Sequence, residues 1–112
     1  MSVIDQEHAI SLLGGHEVIY KKILQKFIDS VETGSYSFTA SDVNGDFDAV
    51  ARIIHSVKGV SENVGAMKVK ELAVVLDQQA KDQRANDIIS GIESYDAAMT
   101  EACDEIRQIL SS

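Results

Sequence analysis

The chain has no proline and no tryptophan, and only 5% of its 112 residues are aromatic. Proline-rich turns and aromatic strands are therefore missing, which disfavours a β sandwich and leaves long helices unobstructed. A single cysteine, Cys103, excludes an internal disulfide framework and fits a reducing compartment. No apolar run approaches the ~18 residues of a membrane span. The opening Met1-Ser2-Val3-Ile4-Asp5-Gln6-Glu7 lacks a basic segment followed by an apolar one, so no signal peptide is read and a cytoplasmic location is expected. Basic residues are scarce: 10 Lys+Arg face 18 Asp+Glu, a net charge of −8. Such a surface repels nucleic acid and anionic membranes, which removes both from the expected partners.

What remains is ordinary globular composition, 45% hydrophobic and 25% charged, in a length suited to one core. Residues 1–112 are expected to form one domain, too short to hold an ATP-binding kinase module beside another domain. The beginning at Met1 and the polar end Leu110-Ser111-Ser112 lead to the expectation of a complete small protein, with the monomer as the default state. Charge is unevenly spread. Between Asp46 and Lys81 five acids balance five bases, so the whole −8 lies outside that window. A neutral zone in an acidic protein is where an anionic group is tolerated.

Apolar spacing predicts helices throughout. A short one runs from Asp5, a good N-cap residue, to Leu13, and Gly14-Gly15 ends it. A second begins near His16 and carries Tyr20, Ile23, Leu24, Phe27, Ile28 and Val31 at buried-stripe spacing. It weakens at Gly34, and the stretch from Ser35 to Gly45 reads either as further helix or as a turn at Asn44-Gly45. A third runs from about Asp46 to Val64 and is closed by Gly65. A fourth follows at once, with Val69, Leu72, Ala73, Leu76 and Ala80 inward. After Asp82-Gln83-Arg84 the last spans about Ala85 to Leu110, with Ile88, Ile92, Tyr95, Met99, Ala102, Ile106 and Ile109 inward. The expected fold is all-α: an antiparallel up-down four-helix bundle with the short first helix capping one end.

On a wheel of the third long helix, Phe47, Val50, Ile53, Ile54, Val57, Val60 and Val64 share one arc. Asp48, Arg52, His55, Gly59 and Glu62 fall opposite, with Lys58 at the edge. A lone helical histidine is ordinarily a solvated or packing residue. His55 differs in its neighbours, since Lys58 and Gly59 lie at i+3 and i+4. Glycine inside a helix costs roughly 1 kcal/mol against alanine and so requires a reason. A cleared floor beside an imidazole admits another surface, and an ammonium beside it holds an anion. Phosphoryl transfer needs a nucleophile, in-line geometry and cations around the moving oxygens, and a neutral imidazole needs no activating base.

The stretch His55-Ser56-Val57-Lys58-Gly59-Val60-Ser61-Glu62-Asn63-Val64-Gly65-Ala66 resembles the signature of histidine-containing phosphotransfer (HPt) domains: histidine, then lysine-glycine, then glycine-alanine at the helix end. The likeness extends to Ile4-Asp5, Leu13-Gly14-Gly15, Asn44-Gly45-Asp46-Phe47 and Leu72 to Leu76. The resemblance implies a phosphocarrier without kinase activity, which accepts a phosphoryl group from a receiver-domain aspartyl phosphate and passes it to another receiver. Partners would be response-regulator receivers and a hybrid sensor kinase. It further implies that His55 is phosphorylated on Nε2, that Lys58 pairs with the phosphoryl oxygens, that Gly59 gives the receiver room and that Gly65 serves the tight turn. Asp77 stands where some members carry a polar side chain near the histidine, often an amide. An acid departs from that pattern, because a carboxylate would repel the phosphoryl group, and Asp77 is read as an imidazole orienter. The docking face is expected around His55, Arg52 and Glu62 and on the exposed sides of the first two helices, with Ile10, Leu13 and Met67 as apolar contacts whose plainer explanation is simple packing. No cofactor is expected, and Mg²⁺ is assigned to the receiver alone.

Other constellations are weaker. Asp42-x-Asn44-x-Asp46 imitates an EF-hand opening, but Phe47 replaces the required glycine and Ile53 the bidentate glutamate. Gly14-Gly15 lacks the spacing of a nucleotide loop, and His8, His16 and His55 lack metal-ligand spacing. Lys21, Lys22 and Lys26 form a small solvated stripe, and Cys103 reads as a buried small hydrophobe. Three rivals stand beside phosphotransfer: a non-catalytic binding module for a receiver, the histidine-bearing domain of a larger hybrid or chemotaxis-type kinase, and a metal- or cofactor-binding bundle, the last opposed by missing Glu-x-x-His pairs.

Overall fold

The structure, a computed structural model, describes residues 3–112. It is all-helical: among the described residues there are six helices and no strand. They are α1 (Gln6–Leu12), α2 (Glu17–Glu32), α3 (Ala40–Gly45), α4 (Phe47–Val64), α5 (Met67–Lys81) and α6 (Ala85–Leu110).

The helix starts follow local chemistry. Asp5 caps α1 by accepting the His8 N–H, and Asp46 caps α4 by accepting the Ala49 N–H, so each aspartate satisfies an otherwise orphaned donor. The stretch from Ser35 to Gly45, readable two ways in sequence, contains an additional helix. Thr39 and Asp42 form a reciprocal capping box that nucleates α3. Asp42 and Asp46 are thus both capping groups, which accounts for the acid spacing that imitates a calcium loop. Ahead of α3 the chain is pinned from inside, where the Tyr95 hydroxyl donates to the Tyr36 carbonyl at 2.7 Å and Phe38 packs on the Tyr95 ring.

Gly65 makes the α4–α5 corner. It adopts the left-handed conformation at φ +84°, and a Cβ there would run into the backbone carbonyl of Asp5. The close approach is held by the Asp5 N–H donating to the Gly65 carbonyl at 2.8 Å and by an isolated bridge between Ile4 and Ala66. The Tyr20 hydroxyl donates to the Val64 carbonyl at 2.8 Å and fixes the start of α2 beside the end of α4. Burial pushes that phenol up to about 12, so it remains a donor at any ordinary pH.

The long helices pack in a closed sequence, α4 on α5, α5 on α6, α6 on α2 and α2 on α4. The inward stripes read from the sequence are the ones that meet. Leu24, Val50, Ile54, Val57, Ala73, Ile88, Tyr95 and Ile106 are all buried in one core, and Cys103 lies with them. Full burial of each large aliphatic or aromatic side chain is worth roughly 1.5–3 kcal/mol, so this interior fixes the rotation of α4 and hence the direction in which its other face points.

Candidate functional site

The rotation of α4 carries Asp48, Arg52, His55 and Gly59 to the outside. His55 projects from the middle of the helix with 71% of its side chain exposed. Gly59 lies one turn on, and a Cβ placed there would meet no atom within 4 Å. The ground beside the imidazole is open.

Beneath the ring, across the α4–α5 seam, sits Asp77, which is only 5% exposed. Its Oδ2 accepts from Lys58 Nζ at 2.8 Å and stands 3.1 Å from Lys81 Nζ. Its other oxygen, Oδ1, is 3.6 Å from His55 Nδ1. That separation exceeds a hydrogen bond and lies within ion-pair range. Burial of an unpaired carboxylate would be costly, and the two ammoniums are what permit it. The Lys58 bond holds the Asp77 carboxyl below its ordinary value against the upward push of burial, and Lys81 adds to the pull. One carboxylate against two ammoniums leaves one surplus positive charge at the foot of the histidine, in a chain whose net charge is −8.

Sequence spacing did not bring Lys81 into this group. It is joined to Asp77 as an i, i+4 pair on α5, a pattern visible in the sequence once Asp77 is known to face α4. The remaining sequence-based candidates are distributed around this centre. Arg52 is exposed on α4, one turn before His55. Glu62 pairs with Lys70 at 3.0 Å, which holds its carboxyl below the usual range, and lies 3.9 Å from His8 of α1. That contact places α1 along the shoulder of the histidine face. Ile10 and Leu13 are half-buried against the core, and Met67 is half-buried at the start of α5. The large apolar side chains most open to solvent near that end are Leu12, Val18 and Ile19, none of which periodicity singled out. Among the described residues, no group of three or more His, Cys, Asp and Glu side chains is placed to hold a metal ion, and no helix is long and apolar enough to cross a membrane.

A solvent-facing histidine thus stands over a lysine–carboxylate–lysine array on the outer face of an all-helical protein. The family model of the Hpt domain matches residues 22–109, from early α2 to the end of α6, and the chain belongs to that family. No curated protein and no solved structure shows significant similarity to it. Hpt domains are histidine phosphotransfer modules of two-component signalling, phosphocarriers rather than kinases, and they engage the receiver domains of response regulators and kinases.

Proposed function

We propose that this protein is a phosphorelay intermediate in which His55 Nε2 takes the phosphoryl group from a receiver aspartyl phosphate and yields it to the aspartate of a second receiver. The observation that carries this reading is the exposure of His55, 71% of its side chain, beside the open ground of Gly59 and above the surplus ammonium charge at Asp77. In-line attack requires the nucleophile to be approached along its lone pair by a bulky partner, and the cleared turn at Gly59 provides the entry. The moving group carries its charge on three equatorial oxygens, which the surplus positive charge of the Lys58–Asp77–Lys81 array helps to neutralise. The Mg²⁺ of the reaction is assigned to the receiver. The accompanying architecture is one domain over residues 1–112, an antiparallel up-down bundle of α2, α4, α5 and α6 with α1 over one end. It works as a cytoplasmic monomer that binds receivers and neither nucleic acid nor membrane.

Incubation with a receiver domain phosphorylated on its aspartate tests this reading directly. The protein should take up label that is acid-labile and base-stable, as a phosphohistidine is. His55→Gln should take up none, and label on that variant equal to wild type would end the proposal. A receiver that binds tightly while no phosphate moves would point instead to a pure binding module.

A further inference from the structure

Two neighbouring valines on α5 take no part in the core. Val74 is 45% exposed and Val75 53%, while the inward face of the same helix is already filled by Val69, Ala73, Leu76 and Ala80. A β-branched residue holds a helix less well than lysine, glutamate or glutamine, so local structure gives no reason for the pair either. Both valines lie within about 4.5 Å of helix rise from Asp77. They line a groove of about 460 Å³ whose wall also includes Lys58, Asp77 and Lys81, the array beneath the imidazole. Arg84 and Asp82 border the same groove, and Arg84 pairs with Asp87 at 2.6 Å. Three cations therefore meet three acids, which makes this neutral ground in a chain of net charge −8. In the closed sequence of helices α4 stands between α5 and α2. The valines thus flank His55 on one side, and Leu12, Val18 and Ile19 are exposed on the other.

We propose that the Val74–Val75 face of α5 is the docking ground of a second receiver, different from the receiver held on α1 and α2. The inference rests on the phosphorelay reading above, in which two receivers meet His55 in turn. In-line transfer fixes only the axis through Nε2, phosphorus and the receiver oxygen. A receiver turned about that axis carries out the same reaction, so two partners can lean on opposite flanks of α4. The groove is continuous with the reacting centre through Lys58, Asp77 and Lys81, so a partner seated over the valines has its aspartate beside the imidazole. That partner brings an anionic group, which neutral ground accepts and the acidic remainder of the surface repels. Exposed apolar side chains supply the grip that charge alone does not. Separate grips let the affinities for donor and acceptor be set independently, whereas a shared grip ties one to the other.

The test measures the two half-reactions separately in the full-length protein, at receiver concentrations well below saturation. One is uptake of label from a phosphorylated receiver, and the other is loss of label from His55 to a second, unphosphorylated receiver. The variant is Val74→Gln/Val75→Gln, which removes the apolar surface and adds no charge beside Lys58, Asp77 and Lys81. Glutamine holds a helix better than valine, so the fold is kept. The rate should fall about fivefold or more in one half-reaction and less than about twofold in the other. Val75→Leu, which keeps an apolar contact, should retain both rates. Val18→Gln, on the opposite flank, should slow the half-reaction that the α5 variant spares. Equal loss in both half-reactions, or loss in neither, overturns the inference, as does loss confined to the half-reaction that Val18→Gln also slows. Wild-type protein that still passes label through His55 would then leave the phosphorelay reading standing, and that reading falls only if His55→Gln accepts label.

Discussion

Gly59 stands one helical turn beyond His55 on the same exposed face of α4, and nothing in the molecule occupies the space its side chain would fill. The fold therefore does not require glycine here, although glycine weakens a helix by roughly 1 kcal/mol against alanine. On the phosphorelay reading, the reason lies with an approaching surface. Gly59→Ala should raise stability by up to about 1 kcal/mol, seen as a rise of a few degrees in Tm. Gly59→Gln, with a long side chain beside the imidazole, should lower the rate of transfer from a phosphorylated receiver while the circular dichroism spectrum stays helical. Transfer by Gly59→Gln at the wild-type rate would remove the steric role.

Lys58 and Lys81 share the burden of neutralising Asp77, so each is partly replaceable by the other. Lys58→Ala should slow phosphotransfer about tenfold, equivalent to about 1.4 kcal/mol of barrier, and not abolish it. Lys81→Ala should have an effect of the same sign, and the double variant should lose more than either single one. Rapid-quench measurement of label on His55 distinguishes these outcomes. No change in rate for Lys58→Ala would take that ammonium out of the mechanism.

Asp77 also makes a statement about pH. Its ordinary value is 3.8, and in the folded protein Lys58 holds it lower. Such a group binds fewer protons folded than unfolded near its titration, so its stabilisation is complete above the unfolded value and fades as pH falls through the folded one. The gap in unfolding free energy between wild type and Asp77→Asn should therefore be at its full width near neutrality and narrow as the pH falls below about 5, through 3.8 and lower. Urea unfolding at several pH values measures it. A gap that stays constant or widens in acid would mean that the carboxylate is not held by its cations in the way described.

Much of this was readable from spacing, and the exceptions share a physical cause. The α4 wheel separated Val50, Ile54 and Val57 from Arg52, His55 and Gly59 because burial follows the 3.6-residue period wherever one helix face meets one core. The short α3 was not resolved, since six residues give too little period to see. Its only local signal was the Thr39–Asp42 capping box, overlaid on a calcium-like spacing of acids. Asp77 was singled out in sequence, and its burial, like the part played by Lys81, depends on a contact between helices. One hint existed: Asp77 sits within the stripe Ala73, Leu76 and Ala80, where an acid must find cations. For the apolar residues of α1 and its C-cap, period marked Ile10 and Leu13, which pack against the core, and left Leu12 to solvent.

On the phosphorelay reading, that last distinction bears on the docking face. Val18 is 71% exposed and Leu12 52%, beside Ile19, at the end of the molecule where Tyr20 ties α2 to Val64. Nine residues of helix separate Val64 from His55, roughly 14 Å, a distance one globular partner spans while presenting its aspartate to the imidazole. Apolar side chains this exposed contribute little to folding and are available for association. Val18→Asp and Leu12→Asp should each weaken receiver binding by about 1 kcal/mol or more, roughly fivefold in Kd. Their Tm should stay close to wild type, because neither side chain is packed in the core. Thr100→Asp, exposed on α6, is the control and should leave binding unchanged. Calorimetric titration with a receiver that labels His55 gives the comparison. Equal affinities across the three variants would move the docking face away from α1 and the start of α2.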